Sequence, residues 1–192
     1  MLYFVPLAPR AVWGLHRMDM RLREQVMVTV ARANGCRMCS YIHQEWAIRA
    51  GVSDDEIAQL EGTHPAEFDR ARWSAVGYAR SLAENDFKQV PDQIFADAAR
   101  YYSPGELRNI EVAALLMTMA NRSVNTVDAL FSRLRGVPVS QSLTSEIAIT
   151  AALVAALPIG VPVLCLTLRK SPHRLVRDFR AFTDGEPTNS TR

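Results

Sequence analysis

The stretch Cys36-Arg-Met-Cys39-Ser-Tyr-Ile-His43 carries the sharpest chemical signal in the sequence. On a helix, residues three and four apart share one face, so both thiols and the imidazole project into a single sector. Two thiols at this spacing can close a small disulfide at the start of a helix. The partial positive charge of a helix N-terminus lowers a nearby thiol's pKa and enriches the thiolate, which is the nucleophile. His43, one turn after Cys39, can take or give a proton near neutral pH. The pattern reads as a redox dithiol with its own proton shuttle. Three other readings compete. Two cysteines and a histidine supply three zinc ligands, but a structural zinc site wants a fourth. There is no second CxxC, and His16, His64 and His173 are scattered. The cysteines could also be two buried structural residues, and His43 an ordinary satisfied histidine.

These residues sit in a chain of 192 residues, 48% hydrophobic and 22% charged. That composition is ordinary for a globular domain able to bury its own core. It excludes whole-chain disorder and a disulfide-stapled mini-protein. The formal net charge of +2 argues against a dedicated nucleic-acid partner. The charge is uneven: residues 169–192 carry six Lys/Arg against three Asp/Glu, while residues 1–168 are close to neutral. A basic tail beside an apolar run points to a membrane surface before DNA. The third cysteine, Cys165, is alone and remote, and the N-terminus has no basic segment ahead of an unbroken apolar stretch. No cleaved signal is read, and a cytoplasmic, reducing location is expected.

The elements that must position the dithiol are helical throughout. Residues 1–18 read as an arm interrupted by Pro6 and Pro9. A helix is expected from Met20 with Asp19 as its N-cap and with Leu22, Val26, Val30 and Ala33 along one face. Asn34-Gly35 breaks it, and a second helix runs from about Cys36 to Ala50, followed by Gly51. Ser53-Asp-Asp-Glu56 reads as a capping box for a short helix to Gly62, and Ala66 to Glu84 as a longer one. Pro91 opens a helix to about Tyr101. Ser103-Pro-Gly-Glu106 starts a long helix through Leu115, Leu116 and Met119, bent near Asn121 and ending at Leu134. Trp46, Trp73, Tyr78 and Phe95 are expected in the core. No alternating strand pattern is found in residues 1–138, so the fold class is all-α.

Ile147 to Leu168 is a run of 22 residues without a charge. As a helix it is long enough to cross a hydrocarbon core of about 30 Å. Pro158, Gly160 and Pro162 within it allow a kinked span or a re-entrant hairpin. The competing reading is a buried core or interface helix. The basic residues that follow would hold the tail in the cytoplasm by the positive-inside rule. Since the dithiol also wants a reducing supply, a re-entrant or surface-lying segment at the inner face of the membrane is expected. Residues from Thr183 onward read as a solvated tail.

Glu24, eleven residues, Cys36-x-x-Cys39, three residues and His43 resembles, position for position, the motif of the AhpD-like alkylhydroperoxidases, grouped with the carboxymuconolactone decarboxylases. The resemblance covers roughly residues 18–138, so the organisation expected is an arm (1–18), an AhpD-like helical domain (19–138), an apolar segment (147–168) and a basic tail (169–192). It implies that Cys39 is the peroxidatic nucleophile, that Cys36 resolves it, and that His43 and Glu24 form the proton relay. Without the resemblance, Glu24 would read as a solvated surface carboxylate. The resemblance further implies a homo-oligomer with no tightly bound cofactor. It also implies a dithiol reductant such as a dihydrolipoyl group, a hydroperoxide or disulfide substrate, and a peroxiredoxin or lipoyl-protein partner. Met38 stands where the best-known peroxidases of that family have a second histidine, which puts peroxidase efficiency in question more than disulfide exchange. The alternative function is a membrane-tethered, non-enzymatic interaction or redox-sensing protein, with the CxxC as sensor or metal clip.

Overall fold

The computed structural model describes residues 13–60, 69–139 and 142–185. After a short 3-10 turn (Leu15–Arg17) come eight helices: α1 (Met20–Ala33), α2 (Arg37–Arg49), α3 (Asp54–Gln59), α4 (Arg70–Glu84), α5 (Asp92–Ala99), α6 (Pro104–Leu134), α7 (Leu143–Leu168) and α8 (Pro172–Gly185). No strand occurs among the described residues, so the protein is all-α. The chain divides into two compact units, Met1–Asn121 and Arg122–Arg192, and α6 contributes residues to both.

In the first unit α1 is the central element. Asp19 caps it, its carboxylate accepting from the Leu22 amide at 3.0 Å. Every residue from Glu24 to Ala31 is buried, so the helix is enclosed on all sides rather than along one stripe. The expected face was therefore too narrow at one end and too long at the other, since Ala33 is exposed. Val28 joins Ala47 of α2, Val52, Ile57 of α3, Leu60 and Val76 of α4 in one apolar cluster, with Trp73 packed against it. Burying side chains of this size contributes about 1.5–3 kcal/mol each before the cost of ordering them.

The turn between α1 and α2 fixes the dithiol. Gly35 has φ +64°, a left-handed conformation that costs other residues about 1–2 kcal/mol. There the Cys36 amide donates back to the Ala31 carbonyl at 2.9 Å, which ends α1 and starts α2 at once. The long helix holds this corner from the other side. Asn121 donates to the Val30 carbonyl at 3.3 Å, and Asn34 donates to the Thr118 hydroxyl at 3.1 Å.

Several expectations are corrected. Asp69 caps α4, its carboxylate accepting from the Arg72 amide, so that helix begins at Arg70; Ala66–Phe68 and Glu61–Gly62 lie outside the described residues. On α6, Leu107, Ile110, Ala113, Ala114, Met117 and Asn121 are buried, Leu115 and Leu116 are half-buried, and Met119 is exposed. α6 is helical from Pro104 to Leu134, the end expected for it. Phe95 is largely exposed, laying one ring edge against buried Tyr78 at 5.9 Å.

In the second unit Arg133 grips Glu146 with two contacts, Nε at 2.8 Å and Nη2 at 2.9 Å, tying the end of α6 to the first turns of α7. α7 is one continuous helix with Pro158 and Pro162 inside it, so the apolar run does not turn back as a re-entrant hairpin. At the usual helical rise its 26 residues measure about 39 Å. No residue of its most apolar stretch is buried. Within the basic segment Pro172–Gly185 forms α8, so the solvated tail expected from Thr183 begins inside a helix, and residues 186–192 lie outside the described residues.

Candidate functional site

Cys36 is the N-cap of α2, and its sulfur accepts from the Cys39 amide at 3.4 Å. Cys36 and Cys39 are bonded as a disulfide, with Cα atoms 5.4 Å apart. The Ser40 hydroxyl donates to the Cys36 carbonyl at 2.9 Å, fixing the first turn of the helix. Cys36 is 1% exposed and Cys39 is 6% exposed, so what access the pair has lies on the Cys39 side. The amide dipoles at this end of the helix favour negative charge on either sulfur once the bond is opened.

His43 follows Cys39 by one turn on the same face of α2. Its Nδ1 lies 2.8 Å from Glu24 Oε2. An ionised carboxylate can only accept, so Nδ1 carries the hydrogen in that pairing and Nε2 keeps the lone pair that can take a proton. Glu24 is only 5% exposed and sits on the enclosed helix α1. It is not the solvated surface carboxylate that its position alone suggested. Its second oxygen accepts from Arg23 Nε at 3.1 Å, so the buried charge is balanced by a guanidinium as well as by the imidazole. All four residues expected at the site therefore share one corner of the fold: Cys36, Cys39 and His43 on α2, and Glu24 against His43 from α1.

Three supporting residues were not assigned there from the sequence. Arg23 pairs with Glu24, Ser40 pins the Cys36 carbonyl, and Trp46 sets its ring edge-on to His43 at 4.9 Å. The spacing of Trp46 from His43, one turn on, was a usable signal for that contact. Met38 is 42% exposed, in contrast to the buried cysteine pair that flanks it. Among the described residues no group of three His, Cys, Asp or Glu side chains is placed to share a metal ion.

A separate cavity of about 320 Å³ lies among the starts of α1, α4 and α6, with Asp19, Asp69, Arg72, Tyr102 and Glu106 in its wall. Burial, reinforced by the nearby Asp69 carboxylate, pushes the Tyr102 hydroxyl up to about 12. None of the four dithiol-site residues lines it.

Residues 2–81 match the model of the carboxymuconolactone decarboxylase family. The match begins within the N-terminal arm and ends within α4, and it contains Glu24, Cys36, Cys39 and His43. No curated protein and no solved structure matches the chain.

Proposed function

We propose that this chain, whose residues 2–81 match the carboxymuconolactone decarboxylase family model, is a thiol-dependent reductase of hydroperoxides or disulfides of the AhpD-like type. The observation that carries the reading is the 2.8 Å contact between buried Glu24 and His43, one turn from the Cys36–Cys39 pair. A purely structural disulfide has no use for a buried, oriented acid–base pair beside it.

In the reduced protein the Cys39 thiolate attacks the terminal oxygen of a hydroperoxide. The O–O bond breaks and the alkoxide leaves as an alcohol, taking a proton that His43 relays. Cys39 becomes a sulfenic acid. The Cys36 thiolate then attacks the Cys39 sulfur, the hydroxide takes a proton and departs as water, and the disulfide forms. Two electrons from the dithiol have reduced one peroxide bond. An external dithiol, such as a dihydrolipoyl group or a partner protein's cysteine pair, restores the thiols by exchange and is itself oxidised to a disulfide. Cys39 is the more open sulfur, which favours attack there in both halves of the cycle. A homo-oligomeric assembly is part of the same reading.

The test is one turnover of an organic hydroperoxide by the fully reduced protein, with mass spectrometry of the product. Stoichiometric loss of peroxide together with a Cys36–Cys39 disulfide supports peroxidase chemistry. Two thiols that stay free and alkylatable in the presence of peroxide, yet exchange with a small disulfide, restrict the function to disulfide reduction. Inertness toward both refutes the reading.

A specific observation also supports membrane association: α7 is long enough to span a bilayer, and no residue of its most apolar stretch is buried among the described residues. Arg133 neutralises Glu146 at its entry, and Arg169 and Lys170 bound its far end. In this reading the dithiol unit is held at a membrane through α7. Recovery of the whole protein in the soluble fraction without detergent would remove it.

A further inference from the structure

We propose that α8 is an interfacial helix whose basic face binds an anionic lipid surface. The inference rests on the membrane reading of α7, and three observations carry it. The first is reach. Only Arg169, Lys170 and Ser171 separate α7 from α8. Three residues extend at most about 10 Å, so α8 must begin within the headgroup zone if α7 ends at the hydrocarbon boundary. The turn itself is fixed: Arg169 is left-handed at φ 46°, and the Lys170 amide donates to the Cys165 carbonyl at 3.1 Å.

The second observation is the division of α8 into two faces. At 100° per residue, Leu175, Phe179 and Phe182 fall on one side, with Val176 at the margin, and His173, Arg174, Arg177 and Arg180 fall on the other. Leu175 is buried and the two phenylalanines are half-buried, while Val176 is 54% exposed. The arginines are exposed. Val163 and Leu166, in the last turns of α7, are exposed as well.

The third is charge. Residues 169–185 hold five Lys/Arg against two Asp. One of the two, Asp178, is already occupied by Lys170 and Arg177 at 2.9 Å each. Arg174 and Arg180 face solvent on the same basic side. An apolar margin of limited depth under an arginine-rich face suits the boundary between acyl chains and anionic headgroups, and suits neither bulk water nor a hydrocarbon interior.

The test uses the full chain with its Cys36–Cys39 disulfide closed, carrying C165S and V176C so that one thiol takes a fluorescent label. It is reconstituted in vesicles of phosphatidylcholine alone and of phosphatidylcholine mixed with phosphatidylglycerol, and a water-soluble quencher reports exposure of the label. The expected result is shielding that appears with phosphatidylglycerol and is reversed by salt. Each arginine near the surface is worth roughly fivefold in the seating equilibrium. R174Q/R180Q should therefore shift it by roughly twenty-five-fold toward the free state, and the matching lysine variant should restore it. A chain that floats with neither vesicle refutes both membrane readings. A chain that floats with both, but whose label is quenched equally in each, refutes the role of α8 and leaves that of α7. Shielding that follows protein concentration rather than lipid composition assigns the face to a second copy of the chain and overturns the proposal.

Discussion

Glu24→Gln is the most informative single change at the site. Glutamine keeps the size of the side chain and can still accept from His43 Nδ1, but it removes the negative charge that stabilises an imidazolium. The carboxylate lies 2.8 Å from Nδ1 and is 5% exposed, so bulk water screens little of the interaction. A hydrogen bond to a charged group contributes about 1.5–3 kcal/mol. Arg23, 3.1 Å from the other carboxylate oxygen, draws part of the charge away and argues for the lower half of that range. The Cys39 reaction with hydroperoxide should therefore slow by about tenfold, and by no more than roughly a hundredfold. The assay is the single-turnover rate of the reduced variant, compared with wild type over a range of pH. Far-ultraviolet circular dichroism before and after confirms that the helices are retained. A variant that reacts at the wild-type rate over the whole pH range would falsify the relay, however well placed the two side chains are.

Three further outcomes are expected. Cys36→Ser should still consume one equivalent of peroxide and then stop, leaving a sulfenic acid on Cys39 that a dimedone-type trap adds to mass-spectrometrically; Cys39→Ser should consume none. Gly35→Ala should cost about 1–2 kcal/mol in denaturant unfolding, and Gly35→Asn less, because nothing lies within 4 Å of an added Cβ and only the left-handed backbone is penalised. Glu56 is held below its ordinary carboxyl value, first by the Ser53 amide and then by Arg21, with burial opposing. Its folded state binds the proton more weakly than the unfolded state. The stability it contributes is present above the unfolded carboxyl pKa and is lost as pH falls through the lower folded value. The difference in melting temperature between wild type and Glu56→Gln should accordingly shrink toward acid.

How much of this was legible in the sequence depends on how local each signal is. The Asp19 cap, the Asn34-Gly35 break, the Ser53–Glu56 box and the Ser103–Glu106 box are all decided within four residues, and each stands where the pattern put it. The reach of Cys36 to Cys39 is equally local. Glu24 is the opposite case. Nothing near it in sequence distinguishes a buried carboxylate from a solvated one, because its partner is 19 residues away across a turn. Its place in the site was implied only by resemblance. Phe95 is a related case: it was expected in the core with Trp46, Trp73 and Tyr78, yet it is 46% exposed, because apolar type alone does not say which side of a helix is covered. The helix within the basic segment was not anticipated, because charge was counted there and the 3.6-residue periodicity was not.

Glu24 is carried by the one helix of the first unit that is enclosed on every side over its middle two turns. A group on a fraying terminus or a surface loop is released by local opening long before the fold is lost. The acid of the proposed relay is buried on the same helix that carries Val28 into the core with Ile57, Leu60 and Val76, so its release is expected to be coupled to opening of that core. Backbone amides from Val26 to Ala31 should be among the last to exchange with deuterium. Catalytic competence and global stability should then fail together, at the same denaturant concentration, so that the loss of activity reports unfolding rather than preceding it.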